Sequence, residues 1–430
     1  MRAGIAKADI TPEGPVPMAG YVARRGWSVG VHDRLWVRCF TFHGRSQDGA
    51  VVVLDLLGLS QQWASAVQRR VAEAAGVPAE NVLVACTHTH AGPTGLDGSP
   101  YAPQHPPFPI ARLPEEFLAK AEGCARQAAQ TAFAAQLGVG SCPVTGIGGH
   151  RTEPHLAVDQ TLWLTVVAEA GTAKAVLACF PCHSTVLGAD NRFLSGDLLG
   201  AAAAGVERSL GRDAVAAFVV GAAGDISTRF LRREQTFAEV DRLGNVLTQA
   251  AVNLADLTPL MEDPPVAFQR RRLWLPVKAL PSEREAVGCV DRLRRQRARM
   301  VRAGAPHGQL RVVQTRLEGA ELLLASIRQA QSREGISAEV AAARLGAGLV
   351  AGVPGEPFNE VGRRLNGLSD GRFQVAVAGQ VGGNLGYFPT RDAVESGWYE
   401  DLGSPFDHRA TELVRSQAQA LLEGLRGERG

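Results

Sequence analysis

Strand-like apolar runs alternate with segments of helical period along most of this chain, and that alternation limits its folds more than any other feature. The run AVVVLDLLG at 50–58 reads as a buried strand. The next segment, 61–75, has apolar residues at helical spacing, and NVLVAC, which ends at Thr87, is strand-like again. The pattern continues with a helix over 114–134, strands at 161–168 and 175–180, and a helix over 197–210. A strand in AVAAFVV and an amphipathic helix over 234–256 follow. Strands that are apolar throughout need covering layers on both sides. The expected fold class is therefore α/β, a mixed-sheet core with helices on both faces.

Two segments depart from the alternation. GPTGLDGSPYAPQHPPFPIAR is too rich in proline for regular structure and predicts a long loop. Over 281–333 the composition shifts, and EREAVGCVDRLRRQRARM and QTRLEGAELLLASIRQAQ are charge-rich and helical in pattern. They predict a helical hairpin inserted in a single domain that spans 1–430. Its basic run reads as a solvated helix face. A further amphipathic helix is expected over 408–425.

Composition removes several function classes. The 45 Lys and Arg nearly balance 43 Asp and Glu, for a formal charge of +2, so nothing points to nucleic acid or an anionic membrane. The apolar runs are too short for stable membrane insertion. MRAGIAKADITPEG lacks a basic segment followed by an apolar run, so it reads as a mature N-terminus. Seven scattered cysteines argue against a disulfide framework, and a cytoplasmic location is expected. Cys179 and Cys182 form a CxxC with no second pair to complete a structural zinc site.

Histidines are few, ten in all, yet His88, His90 and His183 fall where predicted strands give way to loops. In α/β sheets active sites assemble there. His88 and His90, in CTHTHAGPTG, are two apart and so share a side of an extended backbone. Such a pair suits a metal, or one ligand plus one acid/base group, or simply two hydrogen-bonded loop histidines. His183 lies in FPCHSTVLGADNRFLSGD, where Asp197 could cap a helix or orient a ligand histidine. Glu356 sits at a Pro-Gly-Glu-Pro turn that opens a helix, where a carboxylate can also be a mere dipole partner. Tyr387 and Tyr399, two of only four tyrosines, fall in NLGYFPTRDAVESGWYE. Two histidines, a carboxylate, a further ligand and an open position make the catalytic zinc pattern.

Taken in order, these segments resemble the catalytic domain of the neutral (non-lysosomal) ceramidases. The resemblance begins at ADITPEGPVPMAGY and runs through GVHDRLWVRCF, DLLGLS, CTHTHAGP, GGHRTEPHL and CHSTVLGADNRFLSGD. It continues through VVGAAGDIS, GVPGEPFNEVGRRL and GYFPTRDAVESGWYE. It implies a zinc-dependent amidohydrolase with one Zn2+ per chain, held by His88, His183, Glu356 and Tyr387, whose bound water attacks an amide carbonyl. It also implies His90 beside the metal as an acid, Tyr399 as an oxyanion donor and Arg151 as an anchor for a polar substrate group. Ser227 matches a serine that either hydrogen-bonds the substrate or acts as nucleophile. Thr228 follows it where the family usually has proline.

The expected reaction is hydrolysis of the amide bond of a small or moderately sized N-acyl substrate. Alternatives are a zinc esterase or lactonase, a true ceramidase acting on N-acylsphingosine, and a non-catalytic relative that binds a ligand. A metal-free serine hydrolase is disfavoured because the GxSxG elbow is missing. The expected partner is a small acyl amide, and homo-oligomerisation is left open.

Overall fold

The computed structural model describes residues 1–96, 113–328 and 334–427. The proline-rich stretch at 98–109 and the end of the second charge-rich segment, 329–331, lie outside the described residues.

The chain is α/β, as its alternation requires, with its main strands shared among three sheets. The first runs, edge to edge, Val82–Cys86, Asp48–Leu54, Trp36–His43, Arg2–Asp9 and Phe133–Ala134. The second runs Val215–Val220, Thr172–Phe180, Thr161–Glu169, Gln136–Pro143 and Leu260–Met261. The third runs Val266–Pro276, Gly335–Leu345, Gly348–Gly352 and Gln374–Ala378.

Each sheet holds one parallel pair, and a helix connects its two strands. Asp48–Leu54 and Val82–Cys86 are joined through Gln61–Ala75, and Thr172–Phe180 and Val215–Val220 through Asp197–Leu210. Gly348–Gly352 and Gln374–Ala378 are joined through Asn359–Asn366. Parallel strands need such crossovers, whereas antiparallel neighbours can be joined by short turns.

The sheets meet at one apolar cluster, with Phe40 and Val53 from the first, Trp163 and Leu177 from the second, and Ala343 and Ala376 from the third. Helices cover their outer sides. Gln61–Ala75 and Leu113–Gln130 pack on the first sheet, and Asp197–Leu210 and Phe237–Leu257 on the second. Asn359–Asn366 and His408–Gly427 pack on the third. Strands thus face sheet on one side and helix on the other, which explains their near-continuous apolar sequences. Val266–Pro276 is the exception. Its sequence, VAFQRRRLWLP, carries three consecutive arginines, and it is an edge strand. Charges there block further strand pairing.

Over the region with shifted composition, helices Glu283–Arg302 and His307–Arg328 pack through Val290, Leu293, Leu317 and Ala320. Ser282 and Glu285 form a reciprocal cap at the start of the first helix. Arg294 pairs with Glu321 across the two helices and Arg328 with Glu283, all on the exposed side. The second helix reaches the main body at Gly319, where a Cβ would stand 3.0 Å from the Tyr399 ring. Among the described residues, no helix is long and apolar enough to cross a membrane.

Candidate active site

Loops after the parallel strands of all three sheets converge on one place. His88 follows Val82–Cys86, His183 follows Thr172–Phe180, and Glu356 follows Gly348–Gly352. One candidate ligand therefore comes from each sheet. An isolated parallel bridge between Thr89 and Ser184 ties the first two loops together. A two-residue parallel ribbon pairs Glu356 with Tyr387. The ring nitrogens of His88, His90 and His183 all lie within 4.8 Å of one another.

The backbone fixes two of these imidazoles. His88 adopts a left-handed conformation, φ 60°, and its Nδ1 lies 2.6 Å from the Leu57 carbonyl. The Nδ1 of His183 lies 2.7 Å from the Ala223 carbonyl and 3.0 Å from that of Ile226. A carbonyl only accepts, so in both rings Nδ1 carries the proton and Nε2 a lone pair. Both Nε2 atoms point at one oxygen, Glu356 Oε2, at 3.3 Å from His88 and 3.0 Å from His183. That oxygen is buried and has no hydrogen-bond partner. Burial, with Arg151 nearby, depresses His183 to about 4, so at neutral pH its ring is uncharged. Three lone pairs therefore converge in a buried spot, and a cation is what such a donor set accommodates. Imidazole nitrogens anchored by carbonyls, with a carboxylate, suit zinc.

His90 is held differently. Its Nε2 is 3.5 Å from His88 Nε2, but its buried Nδ1 has no hydrogen-bond partner. Burial, then the neighbouring His88 and His183, push its pKa well below the ordinary value. Gly20, at φ +96°, makes room for the ring, since a Cβ there would come within 2.5 Å of it.

Arg151 is almost completely buried. Its Nε donates to Glu400 Oε1 at 2.5 Å, its Nη1 lies 3.2 Å from His183 Nε2, and its Nη2 has no partner. The guanidinium stands over the rings of Tyr387, at 5.1 Å, and Tyr399, at 5.6 Å. Burial works against its charge, but Tyr387 and Glu400 overcome that and raise its pKa well above the usual value. The Tyr387 hydroxyl is pushed up in turn by burial, with Arg151 opposing, so without a metal it is a neutral phenol. Tyr399 opens the helix Tyr399–Gly403, and its ring meets that of Tyr387 edge to face at 5.7 Å.

Ser227 sits in a two-residue ribbon against Gly149–His150, beside Arg151, and its Oγ accepts from the Arg229 amide at 3.3 Å. Asp197 does not orient His183. Its carboxylate accepts from the amides of Val186, Leu187 and Leu198, and so pins the loop that carries the histidine. Cys179 and Cys182 are buried free thiols, and burial pushes Cys179 up to about 12.

The site opens into a cavity of about 390 Å³, whose lining includes His88, His90, Glu356, Tyr387 and Tyr399. Its further wall is apolar, with Leu280, Leu322, Leu323, Ile336 and Leu402. Glu400 escaped sequence reasoning, because an acid in the first turn of a short helix reads as a dipole partner. Gly20 escaped it too, since nothing local tells which side chain a glycine makes room for.

Residues 1–104 match the family model described as "Neutral/alkaline non-lysosomal ceramidase, N-terminal". The neutral ceramidase of Pseudomonas aeruginosa is 29% identical over 254 residues, which are 53% of this chain and 37% of that protein. The neutral ceramidase of Mycobacterium tuberculosis is 39% identical over 98 residues, 21% of this chain and 15% of that protein. Over residues 1–104 the chain thus matches the neutral/alkaline non-lysosomal ceramidase family, and the two curated relatives are neutral ceramidases.

The likeness of fold extends over nearly the whole of this chain. The crystal structure of the Pseudomonas aeruginosa neutral ceramidase superposes with a TM-score of 0.74 at 21% identity, covering 98% of this chain and 74% of that one. A ceramidase complexed with C2 superposes at 0.75 and 19% identity, covering 99% and 75%. The chain spans only part of the curated ceramidases it matches, 37% of the first.

Proposed function

We propose that this ceramidase-family chain is a zinc-dependent hydrolase that cleaves the amide bond of an N-acyl substrate of small or moderate size. The observation that carries the reading is the convergence of His88 Nε2, His183 Nε2 and Glu356 Oε2 beside a cavity with an apolar wall. Tyr387, the register partner of Glu356, completes the proposed ligand set. A zinc ion held there would polarise the substrate carbonyl and lower the pKa of a water.

The remaining residues have work that follows from their placement. A ligating histidine donates its other N–H to a fixed acceptor, which His88 and His183 do and His90 does not. His90 is therefore the residue free to exchange a proton, and it is assigned to protonating the leaving amine. An amine leaves an amide poorly without such an acid. Tyr399 and Arg151 supply donors for the negative charge that develops on the carbonyl oxygen. Ser227 is assigned a hydrogen bond to the substrate. The apolar wall takes the acyl chain, and about 390 Å³ lies near the low end of the range for small-molecule sites.

The test is a panel of short- and long-chain N-acyl amines, N-acyl amino acids, ceramides and matching esters, offered to zinc-loaded and chelator-treated protein. Amide turnover that vanishes on chelation and returns with zinc supports the reading. Full activity in chelator, or turnover of the esters alone, refutes it.

A further inference from the structure

We infer that Glu400 is a positioning residue for the proposed hydrolysis: it holds the Arg151 guanidinium in place against His183 and Tyr387, two of the proposed metal ligands. The inference rests on the function proposed above. Neither the family's recurring motifs nor the sequence pattern assigns this glutamate a role.

The geometry begins with two buried charges. Glu400 is 1% exposed and Arg151 is 7% exposed. Isolating either charge in such surroundings costs several kcal/mol or more, so the two stabilise each other or neither is tolerated. Their contact is a single short bond, Nε to Oε1 at 2.5 Å. A guanidinium is a rigid plane, so fixing Nε and crowding Nη1 against His183 leaves it no freedom to rotate. The two tyrosines add a further restraint, for the guanidinium carbon stands over both rings. What remains is Nη2, buried and without a partner.

Sequence places Glu400 directly after Tyr399, at the head of a five-residue helix. The same short element thus supplies one residue that lines the cavity and another that acts behind it. Gly319 of the helical hairpin packs against the Tyr399 ring, so the hairpin braces this element from outside. Neither Glu400 nor Arg151 lines the cavity, so Glu400 acts on turnover through Arg151, and Arg151 through His183 and Tyr387, which it touches.

That dependence is testable by a double-mutant cycle with Glu400→Gln, Arg151→Ala and the two combined, read with a fluorogenic short-chain ceramide. Zinc content and zinc affinity by chelator competition are measured on every variant. E400Q is expected to bind one zinc per chain, with kcat lowered by roughly 10–100-fold, as for other residues that orient active-site groups. Its KM should stay within about threefold. E400D, which keeps the charge, should fall between the two. In the combined variant the second substitution should cost nothing beyond Arg151→Ala, because the two residues act as one unit.

Wild-type rates in E400Q, or losses that simply add in the combined variant, overturn the inference. So does loss of zinc from E400Q, which would make the residue part of the metal site's scaffold. If E400Q is too unstable to purify, Glu400→Gln with Arg151→Met removes both charges, and its rate is expected to equal that of Arg151→Met alone. A wild-type chain that neither binds zinc nor turns over an amide overturns the function itself, and that control is read before any variant.

Discussion

Glu356 and Tyr387 face each other in register across a two-residue parallel ribbon. The ribbon fixes the carboxylate and the phenol relative to each other before any metal arrives. His88 and His183 are fixed separately, by carbonyls. The donor set is thus rigid, and metal binding should report on each member. His183→Ala is expected to abolish zinc binding and turnover, and to lower the melting temperature of the zinc-loaded protein to that of the metal-free one. Tyr387→Phe should keep the fold and weaken zinc by roughly tenfold or more in chelator competition. Unchanged zinc affinity in both variants would remove these residues from the metal site.

His90 is separated from the ligands by its unanchored Nδ1. His90→Ala is expected to retain one zinc per chain and to lose roughly 10²–10⁴ in kcat, the range of a general acid. Metal analysis of the purified variant checks the first half and steady-state kinetics the second. A variant without metal would turn His90 into a ligand.

Gly20→Ala tests the same histidine from the other side. The added Cβ would come within 2.5 Å of the His90 ring, at a backbone φ of +96° that side chains rarely adopt. Strain of about 1–2 kcal/mol is expected together with a displaced imidazole. The measured outcome should be a modest fall in melting temperature, retained zinc and a large loss of kcat. Activity within about twofold of wild type would show that the ring moves without consequence.

These relationships were unevenly legible in the sequence. The helix 61–75 stands where its spacing placed it, because helical period is a local signal, and the Ala- and Gly-rich stretch 197–210 is helical as expected. His88, His183 and Glu356 were visible as residues that follow apolar strands. That each comes from a different sheet was not, because sheet membership depends on pairings between distant segments. Val266–Pro276 left no strand signal, since its three consecutive arginines break the apolar run that marks the other strands. Glu400 was hidden for a related reason. Its meaning lies in Arg151, 249 positions away.

The metal-free protein should lose stability in acid. Burial depresses His150 and His183 to about 4, against an ordinary value of about 6.5. His90 is also depressed well below its usual value, mainly by burial. Below about 6.5 the unfolded chain takes up these protons and the folded one does not, so stability falls from there down to about 4 and then levels off. The two imidazoles depressed to about 4 account for roughly 3 kcal/mol each at the limit. Asp225, raised by burial to about 7, acts oppositely: it favours the fold in acid, and that contribution is lost as pH rises towards 7. Asp197, raised by burial to about 6, adds to Asp225. Three imidazoles outweigh these two carboxyls, so denaturant midpoints should rise between pH 4 and 6.5. A flat or falling profile would show that the histidines are not held neutral.

The cavity's apolar wall gives the last expectation, on substrate length. Leu322, Leu323 and Ser326, from the helix His307–Arg328, line the cavity together with Glu356 and Tyr387. With a volume of about 390 Å³, the cavity has room for a bounded number of methylenes. Each methylene buried there favours binding by about 0.8 kcal/mol until the space is filled. The kcat/KM of N-acyl amines should therefore rise with acyl length and then level off. Leu323→Phe, which enlarges a wall residue that is 8% exposed, should move that plateau to shorter chains. It should leave the shortest substrates almost untouched, because the residues around the metal do not move. The measurement is kcat/KM across a series of acyl lengths for both proteins, in detergent below and above its micellar concentration. A length profile identical in the variant would show that the chain runs elsewhere. A wild-type profile that climbs without a plateau would show that the substrate extends beyond the cavity, as a long-chain ceramide would.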